Sequence, residues 1–360
     1  MKEKILVIGG YGHVGRTICK ELGRKYPGLV YAAGRNRERA EQFSQSTEGK
    51  VKPLQLDIFE PVDPHILAQA KLVIMCLDQS DPTFVRACFR SGTHYVDVSA
   101  KGSFLAEVER CDLEAKENGV TAVLSVGLSP GLTNLLAHQS QKLLDRVDAV
   151  EIAIMLGLGD QHGKAAIEWT IDNLNASFEI RKNHRDVQVH SFTDGRMADF
   201  GLELGVKKAY RFPFSDQQTL ARTLNIPSVS TRLCFDSAMM TTFLAGLRAS
   251  GISRLLAGKR VRNTLVGCLS KLHMGKEQFA IKVDAQGIKE NRKSSIGCLL
   301  HGKHQSNLTA RVAVFVADAI CRSSFPSGVY HIEQLFELEN LQGWLQREAA
   351  IEFCINGNQI

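Results

Sequence analysis

The sequence has no CxxC pair, no long apolar run, no internal repeat and no low-complexity segment. Each absence removes a class of protein. The nine cysteines (Cys19, Cys76, Cys88, Cys111, Cys234, Cys268, Cys298, Cys321 and Cys354) are odd in number and widely spaced. That pattern argues against a disulfide framework and a structural zinc site, and for reduced thiols in a cytoplasmic protein. His162, His184, His190 and His304 show neither HxxxH nor HExxH spacing, so no metal is expected. No apolar h-region precedes the strand-like run at Ile5, so no signal peptide is expected. No stretch reaches the ~18 apolar residues of a membrane span, so no membrane association is expected. Neither sign of charge dominates: 44 Lys+Arg against 38 Asp+Glu leave +6, too mild a balance to imply nucleic acid. The basic group Arg254, Lys259, Arg260 and Arg262 has no aromatic platform beside it. It reads as a solvated helix end and loop rather than a nucleic-acid surface.

What remains is an ordinary globular balance, with 44% hydrophobic and 23% charged residues. At roughly 150 residues per domain, 360 residues make about two domains. The first half alternates strand-length apolar runs with helical stretches. Strands are expected at Ile5–Ile8, Leu29–Ala33, Leu54–Asp57, Lys71–Leu77, His94–Val98 and Thr121–Leu124. Helices are expected after Gly12 and at Glu38–Phe43, Thr83–Ser91 and Phe104–Asn118. Six strands in this rhythm describe a doubly wound parallel sheet, an α/β fold of the Rossmann type.

The first strand runs straight into Gly9-Gly10-Tyr11-Gly12-His13-Val14-Gly15, which satisfies GxGxxG between a strand and a helix. One glycine makes the tight turn, Gly12 lets the backbone reach a pyrophosphate, and Gly15 lets helix and strand pack closely. The phosphates then sit at the helix N-terminus near His13 and Val14, where free N–H groups and the dipole favour anions. The second strand ends in Gly34-Arg35-Asn36-Arg37. An NAD site carries an acid there for the ribose hydroxyls, whereas a guanidinium at Arg35, with Arg37 beside it, suits a 2′-phosphate. NADP(H) is therefore expected over NAD(H). Asp57 is placed either to contact adenine or to cap a turn. Cys76 and Leu77, ending the fourth strand, are expected on the cofactor side. Cys76–Ser80, Asp97–Lys101 and Val126–Gly131 should line one crevice, since ligands bind beyond the carboxyl ends of such strands.

The sequence resembles the NADP-binding reductase branch of the saccharopine dehydrogenase family. The resemblance is carried by Gly9–Gly15, Gly34-Arg35-Asn36, His94-Tyr95-Val96-Asp97 and Gly127-Leu128-Ser129-Pro130-Gly131-Leu132-Thr133-Asn134. Weaker matches are Trp169-Thr170, Phe212-Pro213 and Thr309-Ala310. It covers about the first 140 residues, and the rest agrees in layout. Ser129 stands where the family usually has Asp. Asp78-Gln79-Ser80-Asp81-Pro82 stands where it often has a glycine- or proline-rich turn. The resemblance implies hydride transfer to or from an imine or amine carbon of an amino-acid-like or polyamine-like substrate, in a homodimer. Asp97 is then the candidate for steadying a cationic nitrogen, or else a turn-capping carboxylate. Lys101 either pairs with a substrate carboxylate or is solvated. Ser129 either bonds substrate or serves its turn. A non-redox or carbonyl-reducing relative, and a sensor or scaffold that binds NADP(H) without catalysis, stay open.

After Asn134 the rhythm stops. Strands are expected at Ala149–Leu156 and Val187–Phe192, a hairpin at Phe279–Ala285 and Ile296–His301 around Gly287–Lys293, and helices at Ala165–Phe178, Ser237–Ala249 and Thr309–Cys321. Trp169 reads as core more readily than as pocket lining. The expected layout is a nucleotide-binding domain at 1–130, a mixed α+β substrate or dimerisation domain at 131–308, and a helical C-terminal segment at 309–360 packing back on the first.

Overall fold

The alternating apolar runs fold into a seven-stranded parallel sheet. It is seen in a computed structural model that describes residues 2–159, 164–251, 258, 260, 262–264, 266–267, 276–345 and 348–359. The chain divides into two units, Met1–Leu132 with Ser306–Phe336, and Thr133–Gln305 with Glu337–Ile360.

Unit 1 runs β1 (Lys4–Ile8), α1 (His13–Lys25), β2 (Val30–Gly34), α2 (Arg37–Gln45), β3 (Val51–Gln55), α3 (Pro64–Ala68), β4 (Ala70–Met75), α4 (Thr83–Arg90), β5 (His94–Asp97), α5 (Gly102–Glu109), α6 (Asp112–Glu117) and β6 (Thr121–Leu124). Further along the chain, α12 (Gln305–Arg322), β15 (Gly328–His331) and α13 (Ile332–Leu335) complete it. The strand order β15-β6-β5-β4-β1-β2-β3 is that of a doubly wound sheet with one added strand. Leu6, Ile8, Val73, Met75, Tyr95 and Leu124 are buried in one shared core. Each such side chain contributes about 1.5–3 kcal/mol of burial. Helix α1 presents Ile18, Cys19 and Leu22 to the sheet, and Arg24 and Lys25 in its last turn complement its dipole.

Three details differ from the sequence reading. β3 starts earlier than Leu54 and includes Pro53, which an edge strand tolerates because one side of it needs no N–H donor. The single helix expected over Phe104–Asn118 is two, because Asp112 opens α6 with its carboxylate accepting from Val329 N–H at 2.9 Å, a partner far along the chain. The segment expected to be helical also contains strands. β15 pairs in parallel with β6, while β16 (Ala349–Ile355) and β17 (Asn358–Gln359) extend the second sheet.

Unit 2 is built on an eight-stranded mixed sheet, in which β10 (Arg196–Asp199), β11 (Val206–Arg211) and β12 (Val229–Phe235) open the order β10-β11-β12-β7-β13-β14-β16-β17. β7 (Arg146–Leu156) and the hairpin β13 (Gln278–Lys289) with β14 (Arg292–Lys303) form its centre, and α7 (Thr133–Lys142) packs on all three. The hairpin turns at Glu290-Asn291, both with positive φ (49° and 61°), a mirror-type turn whose twist matches the strands. The strands thus run farther than the expected turn at Gly287–Lys293 allowed. α8 (Lys164–Asp172) ends before Phe178, because Ser177 already enters β8 (Ser177–Lys182), paired with β9 (Arg185–His190). Trp169 packs against Phe212 and Phe214. α11 (Ala238–Ala249) begins at Ser237, whose hydroxyl caps Met240 N–H. His162, Cys268, Arg254 and Lys259 lie outside the described residues, while Arg262 is paired with Asp172. No helix among the described residues is long and apolar enough to cross a membrane.

Candidate nucleotide and substrate site

The turn between β1 and α1 is shaped by contacts that exclude side chains. Gly9 has φ +76°, a conformation that favours glycine. A Cβ on Gly15 would lie 2.2 Å from the carbonyl oxygen of Gly9, and one on Gly10 2.7 Å from Ala32 Cα, so this turn closes only with glycine at both. Gly12 differs. Its Cβ would meet Gly9 O at 3.0 Å and otherwise open space, the room a pyrophosphate needs. Gly12 is also the N-cap of α1, with no side-chain cap and no acid in the first turn. The N–H groups at His13, Val14 and Gly15 are therefore available to an anion. The His13 imidazole itself bonds Ser306 Oγ at 2.9 Å, and Val14 is half-buried. A dinucleotide fits this cradle.

At the end of β2 the three candidate residues separate. Arg35 is exposed and forms no ion pair among the described residues; its carbonyl accepts from Gln55 Nε2. The Asn36 side chain caps α2 by accepting from Arg39 N–H at 2.8 Å. Arg37 is bound to Glu41 at 2.7 Å. Two residues not singled out from sequence meet here. Tyr11 Oη accepts from Asn36 N–H at 2.9 Å, and the Arg39 guanidinium lies 5.2 Å from the Tyr11 ring centroid. The close approach of Tyr11 requires glycine at 34, where a Cβ would be 2.4 Å from Tyr11 Oη. Asp57 accepts from Phe59 N–H at 3.1 Å, the turn-capping arrangement. Leu77 is exposed, with its side chain against Gly9. Burial pushes the Cys76 thiol up to about 12, so it is protonated at neutral pH.

Past β4 and β5 the polar groups lie in two layers. Asp97 is wholly buried, one layer below the open edge where the sequence reading put it. Its Oδ2 accepts from Tyr95 O–H at 2.6 Å and its Oδ1 from Ser99 N–H at 2.7 Å. Gln79 Nε2 donates to Tyr95 Oη at 2.8 Å, while Gln79 Oε1 is buried without a partner among the described residues. Burial raises the Asp97 carboxyl above its ordinary value, opposed by the bonds from Ser99 and Tyr95. Asp78 is the carboxylate at the surface of this group. Packed protein on one side raises it, and the Lys101 charge opposes that shift. Lys101 is exposed, at the N-cap position of α5.

Beyond β6, Ser125 has φ +58° and is fully buried. Its Oγ is 2.7 Å from His331 Nδ1, and His331 Nε2 is 2.7 Å from Glu109 Oε1. His331 also caps α13, where its ring accepts from the Gln334 backbone N–H. Because an N–H only donates, Nδ1 is the acceptor and Nε2–H donates to Glu109. The order serine, imidazole, carboxylate is that of an activated nucleophile, yet a wholly buried Oγ meets no substrate. The chain instead latches β15 and α5 to the end of β6. It also braces the following turn, where Gly131 has φ +136° and a Cβ would lie 3.1 Å from Ser125 O. Ser129, with part of its surface open, sits in that turn. In unit 2, Arg211 and Arg232 are cross-strand neighbours that both bind Asp194, and Arg211 Nη1 is buried without a partner among the described residues.

Residues 5–123 match the family model described as the saccharopine dehydrogenase NADP binding domain. Among curated proteins no sequence match is found. The chain shares its fold with the saccharopine dehydrogenase (L-Glu forming) of Saccharomyces cerevisiae, at 13% identity and TM-score 0.69, covering 98% of this chain and 100% of that one. Looser likenesses are the amine dehydrogenase of Mycobacterium smegmatis (11% identity, TM-score 0.47, 93% and 97% of the two chains) and the C. glutamicum DAP dehydrogenase (12%, 0.46, 96% and 99%).

Proposed function

We propose that the protein is an NADP(H)-dependent oxidoreductase that moves hydride to or from the C–N bond of an amino-acid-like substrate. The observation that carries the reading is the joint presence of the glycine cradle over an uncapped helix N-terminus and, at the end of β2, the Arg35 guanidinium, which is unpaired among the described residues. The matched NADP binding domain supports the nicotinamide cofactor. Gly9, Gly10, Gly12 and Gly15 shape the turn, the N–H groups at His13, Val14 and Gly15 take the pyrophosphate, and Arg35 takes the 2′-phosphate, flanked by Asn36 and Arg37. Asp57, Cys76 and Leu77 border the dinucleotide.

Bound NADPH supplies the hydride. The chain's own groups bind and polarise. A cationic imine nitrogen is steadied by a carboxylate, and Asp78 supplies the exposed one. Asp97 acts from behind it, fixing Tyr95 and through it Gln79. Lys101 faces a substrate carboxylate, and Ser129 offers a hydroxyl. Steady-state NADPH oxidation with pairs of amines and 2-keto acids tests the reading, which expects oxidation that depends on both partners. Tight NADPH binding with no pair turning over would transfer support to a sensor or scaffold.

A further inference from the structure

The opposite edge of the parallel sheet, where β4, β5 and β6 begin, holds a cavity of about 320 Å³ within unit 1. That size is at the small end of ligand sites, which run about 300–1,000 Å³. Lys71 and His94 wall it from the strands and Arg322, Ser323 and Ser324 from the segment after α12. Among the described residues no carboxylate lines it.

Its donors are held in place and underused. Thr121 N–H donates to His94 Nδ1 at 3.0 Å, so the neutral ring carries its proton on Nε2, and that N–H has no partner among the described residues. Lys71 Nζ gives one N–H to the Cys321 carbonyl at 2.7 Å and keeps two. The Ser323 and Ser324 hydroxyls are exposed and unbonded among the described residues. Burial, and after it the nearby Lys71 and Lys2 charges, holds the His94 imidazole below its ordinary pKa, against the bond from Thr121. The negative end of the α12 dipole points this way, and two of its last four carbonyls are occupied: Lys71 takes Cys321 O, and Ser323 N–H takes Ala319 O. Asp318, one turn back, is neutralised by Lys25 and Arg322.

We propose that this cavity is a second ligand site, for a small oxyanion of phosphate or carboxylate type. It is independent of the nucleotide site, which lies at the carboxyl ends of the same strands. A cation is excluded by the Lys71 ammonium already seated there, and an apolar ligand by unpartnered donors that its entry would strand.

The test is an amide-shift titration of the full-length protein with inorganic phosphate and, separately, citrate. Saturable shifts are expected at Gly119, Thr121 and Ser323, and the tighter of the two anions names the class. Lys71→Met should weaken this binding tenfold or more, and Arg35→Ala should leave it unchanged. If Lys71→Met fails to fold, the Ser323→Ala/Ser324→Ala pair replaces it, with a loss of about threefold or more expected. No saturable shift at those amides up to about 20 mM of either anion overturns the proposal, since that exceeds the millimolar range of a weak site. Shifts confined to Gly12–Gly15 and lost in Arg35→Ala overturn it too, because the anion then sits at the nucleotide turn.

Discussion

The β1–α1 turn and the ends of β4 to β6 are both parts of one strand edge, yet they are made differently. The turn is made of backbone: glycines that admit close approach and N–H groups left open. The strand ends are made of side chains that consume one another, as in Gln79–Tyr95–Asp97 and Ser125–His331–Glu109. A backbone site tolerates no added atoms but needs no partner. A side-chain site tolerates substitution where a neighbour can reorient. Substitutions in the two regions should therefore fail in different ways.

The largest effect is expected in the turn. Gly12→Val places methyl groups where the pyrophosphate would lie and should weaken NADPH binding about a hundredfold or more while the melting temperature changes little. Calorimetry on the folded variant reads this, and normal binding would move the cofactor elsewhere.

In the side-chain region the effect falls on stability. Asp97→Ala strands two buried donors, Tyr95 O–H and Ser99 N–H, at a cost of about 1–3 kcal/mol by urea unfolding. Asp97→Asn should cost less. The new amide donates to Tyr95 Oη, and the phenol can turn its proton to Gln79 Oε1, which lacks a partner among the described residues, once that amide reorients. Equal losses in the two variants would contradict this arrangement.

The same carboxyl sets a pH dependence. Burial raises the Asp97 pKa in the folded state, so the folded state binds that proton more tightly than the unfolded one. Its contribution is greatest below the unfolded value near ~3.9 and declines as pH rises to the folded value, after which it is flat. Unfolding free energies across that window should fall more steeply with pH in the wild type than in Asp97→Asn. Identical slopes would remove the raised pKa from the account.

The smallest effect is expected at Arg37. Its guanidinium is held by Glu41 and exposed, so Arg37→Ala should change NADPH affinity by about twofold or less in a fluorescence titration. A tenfold loss would mean that Glu41 releases it to the cofactor.

These differences also show what was legible in the sequence. Gly9 to Gly15 are contiguous with the end of β1, and Arg35 follows the end of β2, so the spacing of one strand–helix–strand unit states their place in the fold. β6 was located at its observed bounds because Thr121–Leu124 is a short apolar run between turns. The burial of Asp97 was not legible, since it depends on Tyr95 of its own strand and Gln79 of the loop after β4 closing over it. His331 was not legible either. Its partners Ser125 and Glu109 stand 206 and 222 residues away, and β15 is a four-residue strand without a lasting alternation. Tyr11 lies inside the glycine motif at a position the motif leaves free, and only its approach to Gly34 gives it a role.

In the proposed function, Arg35 reads the cofactor's 2′-phosphate. The direct test is fluorescence titration of wild type and Arg35→Ala with NADPH and with NADH. A charged bidentate contact is worth about 1.5–3 kcal/mol, so wild type should favour NADPH clearly, and Arg35→Ala should lose tenfold or more for NADPH while NADH binding stays as it was. Equal wild-type affinities for the two cofactors, or an NADPH affinity that survives the substitution, would contradict it.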